Sequence, residues 1–75
     1  MSQGVRDFTQ RLNQCLDEMG APHDIRERTA ILSKMLDIPK FQARTILEGH
    51  LVEDELVGRI AAEFEVDPEW LSGKK

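Results

Sequence analysis

The sequence predicts an all-α fold, a compact bundle of five short helices. Apolar residues recur three and four positions apart along most of the chain, as they do on the buried faces of helices. Glycine, proline and aspartate stand where this periodicity stops, and the β-branched and aromatic runs typical of strands are missing. The 75 residues are enough for one domain, which we assign to residues 5–73, with 1–4 and 74–75 as flexible ends.

The first helix is predicted to run from near Val5 to Gly20. Its apolar stripe follows helical spacing and consists of Val5, Phe8, Leu12, Cys15, Leu16 and Met19. Gly20 ends the helix because glycine readily takes the left-handed conformation of a C-terminal cap, and Pro22 prevents continuation. Cys15 is interpreted as a core residue. One cysteine cannot form a disulfide within the chain, which is typical of the reducing cytoplasm.

The second helix is predicted to end where Asp37-Ile38-Pro39 interrupts the apolar periodicity. Proline lacks a backbone donor and pushes the preceding residue out of the α region, so a helix that runs through Leu36 stops near Asp37. The start has two alternatives. It is either Asp24, which stands at capping-box distance from Glu27, or a position as late as Arg28.

The third helix is predicted from Pro39 to Glu48, with Gly49 as its terminator. Apolar residues share one face of this helix, and others share one face at the end of the second. These residues are Leu32, Met35 and Leu36 in the second helix and Ala43, Ile46 and Leu47 in the third. Because so few residues connect the two helices, they must cross steeply and bury these faces together. This is the helix-turn-helix arrangement.

The fourth and fifth helices are predicted from a cluster of acids and from a cap. Glu53, Asp54 and Glu55 fit the first turn of a fourth helix, where the helix dipole favours negative charge. Its apolar stripe consists of Val52, Leu56, Ile60, Ala61 and Phe64. Asp67 and Pro68 indicate the N-cap and first position of a short fifth helix that ends at Gly73. This last helix contains Trp70 and Leu71.

The stretch from Leu32 to Gly49 resembles the helix-turn-helix of the phage repressor and Cro-like family. That family's pattern is roughly Leu-Ala-x-x-Leu-Gly-Val-Ser, then a helix with an apolar residue and often Arg, then Glu-Gly or Asn-Gly. The matching residues here are Leu32, Ser33, Leu36, Asp37, Ile38, Pro39, Ala43, Arg44, Leu47, Glu48 and Gly49. The resemblance continues in Ile60–Gly73 and covers roughly residues 24–73. It implies a lambda-repressor-like fold and a DNA-binding function.

The chain departs from the family pattern at four positions. Asp37 replaces the usual turn glycine, and Asp tolerates the left-handed conformation better than most residues. Ser33 replaces an alanine where the helices touch and is small enough to fit. Pro39 replaces the usual Ser or Thr cap and removes a possible phosphate contact. Phe41 lies on the face that usually carries polar, base-reading residues.

The resemblance implies that the outward face of the third helix touches base edges. The residues at the corresponding positions are Lys40, Phe41, Arg44 and Thr45, with Gln42 at the margin. Arg and Lys suit the O6 and N7 atoms of guanine. Phe41 has two interpretations: it contacts a thymine methyl, or it is an aromatic residue that faces the core or a partner.

A second group of candidates lies at the start of the second helix. Thr29 corresponds to a position of the family at which a polar side chain often meets a phosphate, and Arg26 and Arg28 could serve the same purpose nearby. A plain exposed turn is the alternative for all three residues.

The distribution of charge supports this assignment despite the net charge of −4. Residues 1–50 carry seven bases and seven acids, whereas residues 51–75 carry three bases and seven acids and so account for the whole net charge. Five of the bases fall within residues 26–50, namely Arg26, Arg28, Lys34, Lys40 and Arg44. Local charge governs attraction to phosphates at close range, so we expect modest affinity for DNA.

The sequence therefore predicts a cytoplasmic, homodimeric transcription regulator that binds double-stranded DNA in a repressor-like manner. The alternative is a protein-interaction module of the same fold, such as an adaptor, an antirepressor or an antitoxin-like partner. Phe41, the missing N-cap and the acidic C-terminal third favour this alternative. We expect no enzyme activity, cofactor, metal site or small-molecule substrate, because the chain lacks a phosphate-binding loop and paired catalytic or ligating residues. No apolar run reaches about 18 residues, so we expect no membrane span.

Overall fold

Five α-helices make up the regular structure of the residues that the computed structural model describes, 3–50 and 52–74. They are α1 Gln3–Glu18, α2 Ile25–Leu36, α3 Lys40–Leu47, α4 Asp54–Phe64 and α5 Pro68–Leu71. No strand occurs in these two ranges, so the predicted all-α fold is confirmed. α1 includes residues 3 and 4, which the sequence placed before it. The predictions for the Val5 side chain, for Leu51 and for residues 1, 2 and 75 concern positions outside the described part.

Aspartate caps begin α2 and α5, as predicted. The Asp24 carboxylate accepts a hydrogen bond from the backbone N–H of Arg26 at 3.1 Å, and Asp67 accepts one from the N–H of Glu69 at 2.9 Å. Each carboxylate satisfies a backbone donor that has no partner within its helix. The start of α2 after Asp24 is thereby confirmed, and the alternative start at Arg28 is not observed.

The turn between α2 and α3 contains Asp37 in the left-handed conformation expected for it, at φ 56° and ψ 51°. The Ser33 hydroxyl donates a hydrogen bond to the carbonyl of Ile38 at 2.5 Å, and the Ile38 N–H donates to the Ser33 carbonyl at 3.0 Å. Arg59 of α4 donates to the carbonyl of Leu36. The last two bonds satisfy carbonyls in the last turn of α2, and all three fix the direction in which α3 leaves the turn.

Pro39 is the N-cap of α3 rather than its first helical residue. Its backbone is extended, at φ −61° and ψ 149°, and α3 has no side-chain cap because proline carries no acceptor there. α3 is therefore one residue shorter at each end than the predicted range 39–48. Gly49 follows with a φ of 91°, which agrees with its predicted role as terminator.

The apolar core draws on all five helices. It consists of Phe8, Leu12, Leu16, Leu32, Leu36, Ala43, Ile46, Leu47, Val57, Ile60, Ala61 and Leu71. The predicted contact between the apolar faces of α2 and α3 is thus present through Leu32 and Leu36, whereas Met35 is only partly buried and does not belong to the core. Cys15 is also buried, as expected. Burial is the main cause that raises the pKa of its thiol, and the negative charge of Glu18 adds a smaller increase.

Besides Met35, two core assignments differ from the sequence-based prediction. Met19 is 51% exposed, because α1 ends at Glu18 and the next residue has already left the helix. In α4 the prediction missed Val57, which is buried, whereas Leu56 is only partly buried. The buried stripe of α4 is therefore rotated by part of a turn from the predicted one.

The first and last helices are joined by Arg11 and Trp70. The guanidinium carbon of Arg11 lies 5.1 Å from the centre of the Trp70 ring, which is the geometry of a cation–π contact. Arg11 also donates a hydrogen bond to the Trp70 carbonyl. α5 is thus held to α1 by both its ring and its backbone.

Candidate nucleic-acid interface

α3 is buried on one face and exposed on the other. Ala43, Ile46 and Leu47 lie in the core, while Lys40, Phe41, Gln42 and Arg44 are exposed. Phe41 is the most exposed large apolar side chain of the described residues, with 82% of its surface accessible. The interpretation of Phe41 as a core residue is therefore wrong, and contact with DNA or with a partner protein remains.

A shallow groove of about 350 Å³ runs between the start of α2 and the start of α3. Its lining residues are Arg26, Thr29, Lys40, Phe41 and Arg44. The groove brings together residues that the sequence assigned to phosphate contacts and residues that it assigned to base contacts. Three of the five are cations, so an anion that enters the groove is attracted from both helices.

Arg44 forms an ion pair along α3 with Glu48. The Nε atom of Arg44 donates to Oε2 of Glu48 at 3.1 Å, and the two side chains are 54% and 42% exposed. A pair this exposed adds little to stability. It does place a negative charge beside one of the three cations of the groove, which lowers the attraction of this surface for phosphates.

Thr45 differs from its neighbours on α3. It is only partly exposed, and its hydroxyl donates a hydrogen bond to the carbonyl of Phe41 at 2.9 Å. This local bond to the preceding turn uses the hydroxyl proton. The oxygen of Thr45 can still accept a hydrogen bond. In the predicted contact with a base, Thr45 would therefore act only as an acceptor.

Arg28 does not project from the protein surface, as its predicted contact with a phosphate would require. Its side chain is buried, and its Nε and Nη1 atoms donate to the Pro22 carbonyl at 2.6 Å and to Oδ1 of Asn13 at 2.8 Å. Its Nη2 atom donates to Asp17. Arg28 therefore joins α2 to α1 and to the connection between them, and the exposed turn considered as its alternative is not observed either.

The contact with Arg28 changes the acidity of Asp17. The hydrogen bond from Arg28 holds the pKa of the Asp17 carboxyl below its ordinary value. Desolvation opposes this effect, and the charges of Arg28 and His23 act with it. Asp17 is therefore a charged partner that the buried guanidinium requires.

Thr29 lies at the floor of the groove and does not project into solvent. It is 7% exposed, and its hydroxyl oxygen is shielded and has no hydrogen-bond partner among the described residues. Neither the projecting phosphate ligand nor the exposed turn predicted for Thr29 is observed. Arg26, which the sequence offered for the same purpose, is exposed and lines the groove.

The surroundings of α3 are electrostatically uneven. On the side of α4, a second depression is lined by Gln42, Glu53, Glu55, Leu56 and Arg59. The two glutamates repel phosphates there, whereas the α2 side offers Arg26. A polyanion is therefore expected to approach α3 from the side of α2, with Gln42 at the edge of the contact, as the sequence placed it.

In the part of the chain that the structure describes, no three His, Cys, Asp or Glu side chains are grouped so that they could hold a metal ion. None of the described helices is both long enough and apolar enough to cross a membrane. No family model matches the chain, and comparisons with curated proteins and with solved structures gave no match. The resemblance of Leu32–Gly49 to the phage repressor and Cro-like family therefore stays a prediction.

Proposed function

We propose that the protein is a sequence-specific, repressor-like DNA-binding transcription regulator that inserts α3 into the major groove. The observation that carries the proposal is the two-sided character of α3. Its inner face is fixed in the core by Ala43, Ile46 and Leu47, and its outer face presents Lys40, Phe41, Gln42 and Arg44. A helix held in this way offers side chains of defined position to base edges.

The size of the helix supports the proposal. An α-helix with its side chains is about 10–12 Å across, and the major groove of B-DNA is about 12 Å wide. Lys40 and Arg44 carry the donors that match guanine, and Gln42 carries an amide that matches adenine. The outer face of α3 is thus suited to the major groove in both size and chemistry.

Phosphate contacts are proposed for the α2 side of the groove. Arg26 and Lys40 are exposed there, and within the described residues neither side chain forms an ion pair or a hydrogen bond. The net charge of −4 and the acids of α4 keep the total attraction small. Each subunit is therefore expected to bind DNA with modest affinity. A homodimer that engages two half-sites would compensate for this.

The second candidate function is a protein-interaction module, such as an adaptor, antirepressor or antitoxin-like partner. The exposure of Phe41 favours it, because an aromatic anchor ringed by cations also suits an acidic protein surface. Glu48 beside Arg44 favours it as well, since it reduces the attraction for DNA. Affinity for duplex DNA of random sequence separates the two candidates.

The test is a fluorescence-anisotropy titration with random-sequence duplex DNA over a range of salt concentrations. We expect weak binding, with a logarithm of affinity that falls linearly as the logarithm of the salt concentration rises. The double substitution Lys40→Ala/Arg44→Ala should abolish binding and leave the helical circular dichroism unchanged.

The matched control is Lys34→Ala/Lys74→Ala, which removes the same charge from exposed positions outside the groove. It should keep most of the binding. If the groove variant binds as the parent does, or if both double variants lose the same affinity, the proposed reading face is wrong. If the parent binds no duplex at all, the interaction module becomes the better interpretation.

A further inference from the structure

The ion pair of Arg44 holds one edge of its guanidinium and leaves the other edge open. Only Nε donates to Glu48, at 3.1 Å. Within the described residues, the two terminal nitrogens of Arg44 have no hydrogen-bond partner. Terminal guanidinium nitrogens are the donors that bind O6 and N7 of guanine together. The groups needed for a two-point contact with guanine are thus free while the side chain is already restrained.

Restraint by Glu48 affects selectivity rather than stability. An exposed pair one turn apart on a helix contributes little to folding. A long side chain, however, loses rotamer freedom when DNA orders it, and a carboxylate that orders it beforehand lowers that cost. The benefit is largest for a contact that demands fixed geometry, which is the two-point contact with a base and not the diffuse attraction to phosphates.

Phe41 stands three residues before Arg44 on the same exposed face of α3. Three residues on a helix are neighbours on the same face, about 4.5 Å apart along the axis. Stacked base pairs are roughly 3.4 Å apart, so two long side chains this close together can reach neighbouring base pairs. The apolar group that a phenylalanine meets in the major groove is the C5 methyl of a pyrimidine.

We propose that Glu48 positions Arg44 on a guanine, and that Phe41 contacts the C5 methyl of a pyrimidine in the adjacent base pair. This inference rests on the proposed DNA-binding function and specifies two neighbouring bases of each half-site. The methyl belongs to thymine or to 5-methylcytosine, which present it at the same place in the groove. Glu48 is a positioning residue, because it acts on the base through Arg44.

A purely electrostatic role of Glu48 predicts a different result from a positioning role. If Glu48 acts only by its charge, its removal strengthens binding to every duplex by the same factor, because a repulsion from phosphates is lost. If Glu48 positions Arg44, its removal also weakens the preference for guanine over the other bases. General affinity and guanine preference then change in opposite directions.

The experiment begins with selection of bound duplexes from a random pool by the unaltered protein. We expect the selected sequences to contain a guanine beside a thymine. In the selected duplex, replacement of that thymine by uracil removes one methyl group and should weaken binding by about fourfold. Cytosine at the same place should bind as weakly as uracil, and 5-methylcytosine should restore the affinity. Phe41→Ala should bind the thymine and uracil duplexes equally.

The second arm compares Glu48→Ala with Glu55→Ala, which removes an exposed acid of α4 outside the groove. Glu48→Ala removes both the charge and the oxygen that accepts from Arg44. It should raise the affinity for random duplexes and reduce the preference for guanine over adenine by about fivefold. Glu55→Ala should leave this preference unchanged. Full guanine preference in Glu48→Ala overturns the positioning role, and equal binding of thymine and uracil by the parent overturns the Phe41 contact. If the parent selects no duplex, the proposed function itself fails, which is distinguishable from both of these results.

Discussion

Phe41 and Ile46 lie on opposite faces of α3, and Phe41 is 82% exposed whereas Ile46 is only 2% exposed. The two faces of this eight-residue helix thus have different roles. Ile46 fixes its position on the core, and Phe41 extends from it into solvent.

This separation predicts different costs for two truncations. Ile46→Ala should lower the free energy of unfolding by about 2–5 kcal/mol, because it removes buried methyl groups and leaves a cavity. In a domain of this size that loss could unfold the protein. Phe41→Ala should cost about 0.5 kcal/mol or less, as a surface change does. Thermal and urea unfolding of the two variants measure this. A larger loss for Phe41→Ala would mean that α3 is rotated from its observed orientation.

The contact between Asp17 and Arg28 predicts a dependence of stability on pH. Because the folded state lowers the pKa of Asp17, this residue stabilises the fold above its unfolded pKa of about 3.9, and the contribution disappears as the pH falls through the lower folded pKa. Asp17→Asn should therefore be less stable than the parent at pH 7, and the difference should shrink below about pH 4.

Urea unfolding of the parent and of Asp17→Asn across this pH range provides the measurement. Glu18→Gln is the control, since it removes an equal charge one residue away without affecting the contact with Arg28. The free energy of unfolding of Glu18→Gln should stay closer to that of the parent across this pH range than the value for Asp17→Asn does. A constant difference between parent and Asp17→Asn down to the lowest pH would contradict the proposed linkage.

Gly58 in α4 and Glu65 at the C-cap of this helix predict changes of stability through backbone conformation. Glu65 ends the helix at φ 57° and ψ 45°, a conformation that is unfavourable for a residue with a side chain. Glu65→Gly should therefore stabilise the protein by about 0.5–1 kcal/mol. Gly58 lies inside α4, and a Cβ there would meet nothing within 4 Å. Gly58→Ala should stabilise by a similar amount, about 0.5–1 kcal/mol.

Thermal unfolding midpoints of these variants settle both expectations. Asp37→Gly provides the comparison for Glu65→Gly, because Asp37 has nearly the same left-handed backbone but is a residue type that tolerates it better. Asp37→Gly should raise the thermal unfolding midpoint by less than Glu65→Gly does. A loss of stability in Glu65→Gly would show that the Glu65 side chain stabilises the fold by more than its left-handed backbone conformation destabilises it.

A homodimer is expected at micromolar concentration or on DNA. The core is near the lower size limit for an independent domain, and the proposed function requires two copies of α3 for paired half-sites. Analytical ultracentrifugation of the free protein and of its DNA complex measures the assembly. A monomer up to millimolar concentration, together with one protein for each DNA site, would count decisively against a dimer.

The sequence predicts well what depends on neighbouring residues. Asp24 and Asp67 were identifiable as caps because each acts on a backbone group two residues away. Asp37 and Gly49 are identifiable as helix ends because Pro39 restricts the backbone that precedes it and glycine readily takes the left-handed conformation at a helix end. The opposite faces of α3 followed from helical spacing alone.

The errors at Arg28 and Val57 concern features that depend on distant parts of the chain. Arg28 is buried because Asn13, Asp17 and the Pro22 carbonyl accept its hydrogen bonds, and none of these partners lies in α2. In the sequence, Arg28 stands among other basic residues and therefore resembles a phosphate-binding residue. Arg28 and Asp17 lie on different helices, so their separation along the sequence does not predict that they form a pair. The assignment of Val57 requires the directions from which α2 and α5 approach α4, which periodicity does not specify.

The contact between Arg11 and Trp70 spans 59 positions of the sequence. Trp70 is the only tryptophan of the chain, and the chain contains no tyrosine. Its intrinsic fluorescence is therefore an optical reporter of whether α5 is docked on α1, without any added label. A folding intermediate in which the first four helices have formed but the last is still detached would differ in emission from the native protein while it had nearly the same circular dichroism. Stopped-flow refolding followed by both signals would thus resolve the closure of the chain from the formation of its helices.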